Sequence, residues 1–483
     1  MSSANSTLAP PSKHIVIIGG SLAGLFTATP LLRLGHRVTI LERSPTPLLH
    51  DQGAGIVAGG ETLAWFRRHD LFQREISVGS TTRLYLDREG GVVDREDWKQ
   101  RMTSWDLVWN LSRANFNGEG GRGYIEGKDW ARVEGSEEVK KQWERARYEY
   151  GREATGLQEK DEKVVVKWRS TREGAEEGLL EGSEEADVVI AADGPSSRLK
   201  GIMLGENKAS KRTYAGYVAF RGTVRESELS AGSTEVFVEK FTFFHADGVQ
   251  ILAYTIPGHQ GTLEKGKRLI NWVWYWNELE ENEAYVELMT DSEGARHRFT
   301  LPTGGKSQSS PFSTAQIGKA IVVTLLTKTV QPQVWKRQQQ RAMDLLPPQF
   351  AELVTKTEKP FVQAITDVEP PQQGTPVGRL LHGKAGVVGD ALAGFRPHTA
   401  ASTSQAAFDA LQLERVFAGD MSWEEYEADV LGFAQSWQRR GVMLGNRSQF
   451  GSHPLSQGHV DGPVSREQLH MRQRQQQQIV DEQ

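Results

Sequence analysis

The feature that most constrains the fold is a glycine-rich turn between an apolar strand and a helix near the start of the chain. The strand is predicted over residues 14–18, the turn reads Gly-Gly-Ser-Leu-Ala-Gly over residues 19–24, and the helix extends to about residue 34. A second apolar strand at residues 37–41 completes a βαβ unit, whose strands should be parallel neighbours. Gly19 permits a tight turn and Gly24 a close approach of helix and strand, so N–H groups at the helix start can face a pyrophosphate. The alternative is a glycine turn that serves packing alone.

An acidic residue follows the second strand at the place where nucleotide-binding units need one. Glu42 ends this strand and stands beside Arg43. A carboxylate there can accept hydrogen bonds from the ribose of an adenosine. Glu42 therefore favours nucleotide binding over simple packing, and a surface glutamate is the alternative.

Two later segments also end an apolar strand in a glycine and a carboxylate. Residues 187–194 finish at Asp193 and Gly194, and residues 386–391 contain Gly389 and Asp390. Small residues at 399–402 follow the second of these, and a helix that starts there can offer N–H groups to an anionic oxygen. Each segment alone predicts only a turn.

Together and in this order, the three segments resemble the single-component flavoprotein aromatic hydroxylases, the para-hydroxybenzoate hydroxylase superfamily. Similarity to the 2,6-dihydroxypyridine hydroxylase-like branch extends to residues 53–56, 214–217, 220–222, 271–275 and 360–363. The resemblance covers residues 13 to about 446, apart from a charged stretch at 134–185. It implies an FAD-dependent monooxygenase that takes electrons from NAD(P)H and uses O2, through a peroxide formed on the flavin. The implied substrate is a small aromatic or heteroaromatic ring such as a phenol or hydroxypyridine.

The resemblance also implies which residues bind FAD. The glycine turn would hold the ADP phosphates, Glu42 the ribose and Asp390 the ribityl chain, while the Asp193-Gly194 pair would touch both FAD and the nicotinamide pyrophosphate. Arg113 resembles an arginine that approaches the FAD phosphates, although the residues around it depart from the family pattern. A loop at 397–401 would lie beneath the isoalloxazine. The implied cofactor-binding residues are Gly19, Gly20, Ser21, Leu22, Ala23, Gly24, Glu42, Arg43, Gly55, Ile56, Arg113, Asp193, Gly194, Gly389, Asp390, Pro397, Thr399, Ala400 and Ala401.

The substrate pocket is expected on an aromatic-rich sheet at residues 214–276. An electron-rich ring reacts better once deprotonated, so a polar group should stand against mainly aromatic walls. Arg221 and His398 lie in stretches that match the family. Core packing is the alternative for the other polar candidates. The candidates for catalysis are His398, Arg221, Tyr275 and Tyr254, and those for further substrate contacts are His245 and Gln363.

Other function classes account for fewer of these features. A flavin oxidase, dehydrogenase or halogenase on the same fold would share every FAD motif. A nicotinamide dehydrogenase would explain residues 19–42 but not the two later carboxylates, and a non-catalytic binding protein would need none of them. The chain has no cysteine and its twelve histidines include no His-Glu-x-x-His pattern, so neither a thiol nucleophile nor a metal site is expected.

Composition limits the partners. The net charge of -5 offers no basic field for a nucleic acid or an anionic membrane. No apolar run approaches the ~20 residues of a membrane span, and the N-terminal residues lack the features of a signal peptide. A cytoplasmic enzyme is expected. The oligomeric state is left open, with a homodimer as one option.

The predicted fold is α/β, a doubly wound Rossmann-like FAD-binding domain with an inserted, mostly antiparallel substrate sheet. The predicted domains are a flexible leader at 1–12, an FAD-binding domain at 13–210 and 376–450, a substrate-binding domain at 211–375 and a polar Gln-rich tail at 451–483. The charged stretch at 134–185 is expected to be solvated loop or hairpin around a strand at 163–168. Further strands are predicted at 185–192, 214–224, 236–244, 250–256, 269–276 and 384–388, and helices at 342–357 and 400–417.

Overall fold

The computed structural model describes residues 12–46, 55–172, 180–205, 209–301, 330–451 and 453–458. Nearly all of the expected leader, residues 53 and 54 of the family-like stretch, and the tail from residue 459 onward lie outside these described residues.

A five-stranded parallel sheet forms around the predicted βαβ unit. The two strands of that unit pair in parallel, with Ile15 opposite Val38 and Ile18 opposite Leu41, as predicted. Their side chains are almost completely buried, because helices cover both faces of a parallel sheet. In spatial order the strands are β17 (Ala385–Val387), β10 (Val188–Ala191), β1 (His14–Ile18), β2 (Arg37–Glu42) and β6 (Ala146–Tyr150).

The charged stretch at 134–185 contains more regular structure than expected. Its predicted strand is present, but it is the middle strand of a three-stranded antiparallel sheet, and a further strand from this stretch extends the parallel sheet. The predicted strand forms a hairpin with the strand before it, which agrees with the expected loop or hairpin, whereas the additional strands of both sheets were not expected. Val164 and Val166 are fully buried, so apolar residues within the charged sequence supply the contacts that hold the small sheet. Its strands are β7 (Arg152–Lys160), β8 (Lys163–Ser170) and β9 (Glu181–Ala186).

The second large sheet has nine strands and is mostly antiparallel, as predicted. One neighbouring pair, the strands at Lys240–Ala246 and Val78–Leu86, runs parallel. The strand expected at 236–244 begins later, because residues up to Phe237 form a short helix. In spatial order the strands are β15 (Thr300–Leu301), β16 (Phe361–Asp367), β11 (Thr213–Arg225), β14 (Leu269–Asn277), β13 (Val249–Ile256), β12 (Lys240–Ala246), β4 (Val78–Leu86), β5 (Val92–Ser104) and β3 (Gly55–Val57).

The two faces of this sheet have different roles because side chains alternate along each strand. Trp272, Trp274 and Trp276 point to one face, where helices pack over them in a hydrophobic core. Tyr217, Tyr254 and Tyr275 belong to a separate cluster on the opposite face, which is the face that carries the candidate substrate contacts.

Thirteen helices are present in the described part of the chain. Beside the parallel sheet, the helix at Leu22–Arg33 packs against both the helix at Trp105–Asn117 and the helix at Ser402–Ala418. In chain order, the helices of the described residues are α1 (Leu22–Arg33), α2 (Gly60–His69), α3 (Trp105–Asn117), α4 (Gly127–Glu134), α5 (Glu137–Trp143), α6 (Arg198–Leu204), α7 (Ala231–Phe237), α8 (Glu283–Leu288), α9 (Pro332–Leu345), α10 (Pro348–Lys356), α11 (Leu380–Gly383), α12 (Ser402–Ala418) and α13 (Trp423–Gln449).

The helix expected at 342–357 is two helices. Helix α9 ends at Leu345, Leu346 is extended, and α10 starts at Pro348. A proline disfavours helical geometry in the residue before it and lacks the N–H that would continue the helix. The Pro347-Pro348 pair therefore separates the two helices. The helix expected at 400–417 is confirmed as α12.

The α/β class is confirmed, with a parallel sheet and a mixed second sheet. Strands β3, β4 and β5 of the mixed sheet come from the chain before residue 210, and the domain boundaries stay a prediction. No helix among the described residues is long and apolar enough to cross a membrane.

Candidate functional site

The glycine turn at the carboxyl end of β1 requires the absence of side chains. Gly19 has a φ of +102°, and a Cβ there would lie 2.4 Å from the carbonyl oxygen of Ala192. A Cβ on Gly24 would lie 1.9 Å from the carbonyl oxygen of Gly19. The turn is therefore tight, and α1 approaches the strand closely, as the sequence predicted.

Ser21 precedes α1, and its side chain makes no capping hydrogen bond. The first N–H groups of α1, from Leu22 and Ala23 onward, have no partner within the helix, and its positive end favours an anion. This arrangement fits a pyrophosphate.

Glu42 is buried and connects the end of β2 to the glycine turn. Its carboxylate accepts hydrogen bonds from the N–H of Gly20 at 2.8 Å and the N–H of Ser44 at 2.7 Å. The carbonyl oxygen of Gly20 accepts from Trp109 Nε1 and the Tyr148 hydroxyl, each at 2.9 Å. The backbone N–H and the carbonyl oxygen of Gly20 are thus both held by side chains, which gives the turn one defined shape.

Two carboxylates lie at the ends of neighbouring strands on the same edge of the parallel sheet. Asp193 follows β10 and Asp390 follows β17, and these strands pair directly. In each residue Oδ1 is buried and has no hydrogen-bond partner within the described part of the chain. A buried polar atom without a partner is costly, so both oxygens fit a site built to bind hydroxyl or amide groups of a ligand.

Burial raises the pKa of both carboxyls. For Asp390 the pKa rises to about 6, with nearby Arg212 partly opposing the effect of burial. For Asp193, hydrogen bonds from Ser197 and from backbone N–H groups oppose the rise. Crevices at the carboxyl ends of parallel strands are the usual ligand sites of this architecture.

The loop after Asp390 leads directly into α12. Residues Pro397–Thr399 form a short 3-10 turn, and Ala400 has a left-handed backbone with a φ of +51°. Ala401 then caps α12. Residues 397–400 are only partly buried, and their contact with the flavin stays a prediction.

Two of the expected cofactor contacts have other surroundings. Arg113 is buried, stacks 4.0 Å from the centre of the Tyr148 ring and pairs with Glu119 at 2.7 Å. The side chain of Arg43 is exposed. Direct contact of either arginine with a phosphate stays a prediction.

His398 joins this loop to the aromatic face of the mixed sheet. Its Nε2 lies 2.9 Å from the Tyr217 hydroxyl, and its ring stacks on Tyr275 with centroids 4.1 Å apart. Burial, with the charge of Arg396 adding to it, lowers the pKa of His398 to about 3. Burial also raises the pKa of Tyr217 and Tyr275. The imidazole is therefore neutral at physiological pH, and its unprotonated nitrogen can accept a hydrogen bond.

Arg221 brings a positive charge to the same face. Its guanidinium donates to Gln363 Oε1 at 3.3 Å and to the carbonyl oxygen of Gly55 at 3.2 Å, and its Nε is buried without a partner. No carboxylate lies within ion-pair distance of it among the described residues. Asn271 accepts from the Gly55 N–H at 3.0 Å, and its Nδ2 is also buried without a partner. This end of the pocket can therefore bind an anionic or hydrogen-bonding oxygen.

The remaining candidates lie on the same face. Tyr254 is opposite Asn271 in the sheet, and burial raises its pKa to about 12. His245 is two strands away from Tyr275 and stacks on His453, with centroids 3.7 Å apart. Ile56 lies in β3 next to Gly55, at the edge of the sheet. The structure thus brings together the catalytic candidates, although their roles stay predictions.

Several residues of the site were missed by sequence reasoning. Tyr217 was part of a family-like stretch but was not singled out, and Tyr148 lies in the charged stretch. Arg396 binds Asp367 through two nitrogens at 2.6–3.0 Å and Asn446 at 2.7 Å. It supports the loop that carries His398. No local sequence pattern marks such long-range pairs.

No group of three or more histidine, aspartate or glutamate residues in the described ranges is arranged to hold a metal ion. The unpartnered oxygens of Asp193 and Asp390, the glycine cradle and buried Glu42 fit a flavin adenine dinucleotide.

Comparison with known proteins agrees with this geometry. Residues 214–316 and 309–367 match a family model described as FAD binding domain-like, and residues 14–58 match the pyridine nucleotide-disulphide oxidoreductase model. The 2,6-dihydroxypyridine 3-monooxygenase of Paenarthrobacter nicotinovorans is 29% identical over 444 residues, 91% of this chain and 89% of that protein. Aklavinone 12-hydroxylase DnrF of Streptomyces peucetius subsp. caesius is 25% identical over 46% of this chain and 43% of its own.

Solved structures extend the likeness to the whole fold. The structure of 2,6-dihydroxypyridine-3-hydroxylase from Arthrobacter nicotinovorans aligns with a TM-score of 0.67 at 26% identity, covering 94% of this chain and all of that one. Klebsiella pneumoniae HpxO in complex with FAD and uric acid aligns with a TM-score of 0.59 at 16% identity, covering 98% and 94% of the two chains, and shares the fold. The chain is an FAD-dependent monooxygenase, a flavoprotein oxidoreductase similar over most of its length to aromatic hydroxylases, a family that uses NAD(P)H.

Proposed function

We propose that this enzyme hydroxylates a small, electron-rich ring that already carries a hydroxyl group, of the phenol or hydroxypyridine class. The observation that carries the proposal is the presence, on one aromatic face, of a neutral His398 and a half-buried Arg221 that has no carboxylate partner among the described residues. A ring hydroxyl has a proton to give, and its oxygen becomes an anion once the proton leaves. The two side chains suit these two needs.

FAD would supply the chemistry that activates oxygen, because side chains alone cannot perform it. The glycine turn and Glu42 would hold its ADP portion, and Asp193 and Asp390 would hold hydroxyl groups nearer the flavin. The loop at 397–401 would contact the isoalloxazine. With these contacts, the flavin would lie between the parallel sheet and the aromatic face of the mixed sheet.

The residues on the aromatic face would orient the substrate. Tyr217, Tyr254 and Tyr275 are buried and stay protonated at physiological pH, since burial raises the pKa of each. They can donate hydrogen bonds or form flat walls against a ring. His398 would accept a hydrogen bond from the substrate hydroxyl through the nitrogen not bonded to Tyr217, and Arg221 would stabilise negative charge that develops on the substrate oxygen. The tyrosine walls would exclude water from the reacting atoms.

The name of the relative from Paenarthrobacter nicotinovorans supports a hydroxylated pyridine as a first candidate. At 29% identity, pocket side chains can differ, so the proposal is limited to the class of hydroxylated rings.

Matched pairs of rings test the proposal. The FAD-loaded enzyme would be mixed with NADPH or NADH and with phenol or anisole, and with 2,6-dihydroxypyridine or its dimethyl ether. We expect a hydroxylated member of a pair to accelerate NAD(P)H oxidation and to yield a product with an added oxygen, while its ether does neither. Equal turnover of ring and ether would contradict the roles given to His398 and Arg221.

A further inference from the structure

One turn of α12 holds the backbone N–H and C=O of Gly389, and thus the two peptide groups on either side of this residue. Gln405 Nε2 donates to the carbonyl oxygen of Gly389 at 2.6 Å and to that of Ala393 at 3.1 Å. Asp409 Oδ2 accepts from the N–H of Gly389 at 2.8 Å. Residues four apart share one face of a helix, so α12 reaches both polar atoms of the same glycine.

Both side chains are completely buried and belong to no other polar network in the described structure. The exposed fraction of Gln405 and of Asp409 is 0%. Asp409 Oδ1 has no hydrogen-bond partner. Burying an amide and a carboxyl is costly unless hydrogen bonds offset the loss of water. Buried hydrogen bonds of this kind can fix one conformation of the groups that they join.

The turn that they hold adopts an unusual backbone. Gly389 has a φ of +61°, and a Cβ there would come within 2.5 Å of the Cβ of Ala23 in α1. Asp390 follows directly, so the direction of its carboxyl depends on the orientation of the Gly389 peptide. Helix α1 limits this turn on one side and α12 on the other.

We propose that Gln405 and Asp409 are positioning residues, which fix the Gly389 peptide and thereby aim the Asp390 carboxyl at FAD. This inference rests on the proposed contact between Asp390 and FAD, and it does not depend on the identity of the substrate.

The electrostatics agree with this role. Burial raises the pKa of Asp409 to about 8, with the Gly389 N–H opposing and the Asp390 charge adding to the rise. At neutral pH the Asp409 carboxyl is therefore mostly protonated, and it does not place a second negative charge beside Asp390. The side-chain oxygen of an asparagine is likewise a neutral acceptor and could accept the same hydrogen bond from the Gly389 N–H.

FAD affinity tests the inference without any turnover. The apoprotein of each variant would be titrated into FAD, and the quenching of flavin fluorescence would give the dissociation constant. We expect Asp409→Ala and Gln405→Ala to weaken binding about ten- to hundred-fold, the effect of losing a buried hydrogen bond to a charged or strongly polar group. Asp409→Asn should stay within about three-fold of wild type. Gln412→Ala, on the outer part of the same helix, is the matched control.

A double-mutant cycle separates positioning from a general loss of structure. If Asp409 acts through Asp390, Asp409→Ala should weaken FAD binding far less in an Asp390→Ala background than in the wild type. Fully additive effects, or an Asp409→Asn variant as weak as Asp409→Ala, would overturn the inference. An Asp390→Ala variant that binds FAD like wild type would overturn it as well, through the proposed cofactor contact, while leaving the hydroxylated-ring proposal to its own test. Gln405→Ala supplies the same cycle if Asp409→Ala does not fold.

Discussion

The Tyr217 hydroxyl lies 2.9 Å from Nε2 of His398, so that strand β11 of the mixed sheet is hydrogen-bonded to the loop between Asp390 and α12. The same imidazole stacks on Tyr275 of the neighbouring strand β14. Two residues of the sheet, Tyr217 and Tyr275, therefore contact the His398 ring. This contact connects the residues proposed to bind FAD with those proposed to bind the substrate.

Replacing Tyr217 by phenylalanine removes the hydrogen bond to His398 and keeps the ring. We expect hydroxylation to slow about ten- to hundred-fold, since a misoriented hydrogen-bond acceptor holds the substrate less well for reaction. NAD(P)H oxidation should increasingly yield hydrogen peroxide in place of product. Stopped-flow and product analysis would measure both. The control is Tyr285→Phe, on the opposite face of the sheet, and an unchanged ratio of product to NAD(P)H in Tyr217→Phe would argue against the role of His398.

Replacing Arg221 by methionine removes the positive charge proposed to stabilise the substrate oxyanion. We expect kcat/KM for a hydroxylated ring to fall about hundred-fold or more, the usual cost of losing one such electrostatic contact. FAD affinity should be preserved. Arg221→Lys keeps the charge but lacks the planar guanidinium, so its kcat/KM should lie between those of the wild type and Arg221→Met. If Arg221→Met alters only protein stability, its role is that of core packing.

Glu42 connects the glycine turn to the end of β2 by accepting hydrogen bonds from the N–H groups of Gly20 and Ser44. Glu42→Ala would leave the buried Gly20 N–H without its acceptor, at a cost of about 1–3 kcal/mol in the free energy of unfolding. Because the turn is also the proposed ADP site, FAD should bind more weakly and raise the melting temperature less than it does for wild type. Thermal unfolding with and without FAD measures both effects. A variant that loses stability but keeps a full FAD-induced shift would mean that Glu42 serves packing only.

The raised pKa of Asp409 predicts a pH dependence of stability. In the folded apoprotein this carboxyl, which faces Asp390 and Tyr426, has a pKa of about 8, while an unfolded aspartate titrates near ~3.9. Between these values the folded state binds more protons, so this group lowers stability as pH rises from about 4 to 8. Asp409→Asn cannot titrate, and its melting temperature should gain on that of wild type as pH increases. Parallel pH profiles for the two proteins would show that Asp409 does not titrate in this range.

The parts of the fold that depend on local pattern could be predicted from the sequence. The strand, glycine turn and helix at residues 14–34 are contiguous, and their periodicity and turn chemistry determine them together. The strands at 250–256 and 269–276 are dense in apolar and aromatic residues. Where the pattern was ambiguous the prediction failed: the amphipathic run at 342–357 spans a Pro-Pro pair, and charged residues hid the strand at Ala146–Tyr150.

The candidate site could be predicted only where one residue stood in a motif. Glu42, Asp193 and Asp390 each end a strand, and parallel strands bring such ends to one edge. The contact of Tyr217 with His398 joins segments that are far apart in the sequence, and that of Asp409 with Gly389 joins a helix to the turn before it. Both contacts depend on the direction in which a side chain points. No spacing in a single sequence encodes those distances.

The most direct test of the account is the fate of molecular oxygen. FAD-loaded enzyme, NAD(P)H and a hydroxylated ring that accelerates NAD(P)H oxidation would be incubated under isotopically heavy oxygen, and the product analysed by mass spectrometry. The account predicts that the ring gains a hydroxyl whose oxygen comes from O2, in proportion to the NAD(P)H consumed. Complete conversion of the consumed oxygen to hydrogen peroxide, with no heavy oxygen in any ring tested, would contradict it and indicate a flavin oxidase.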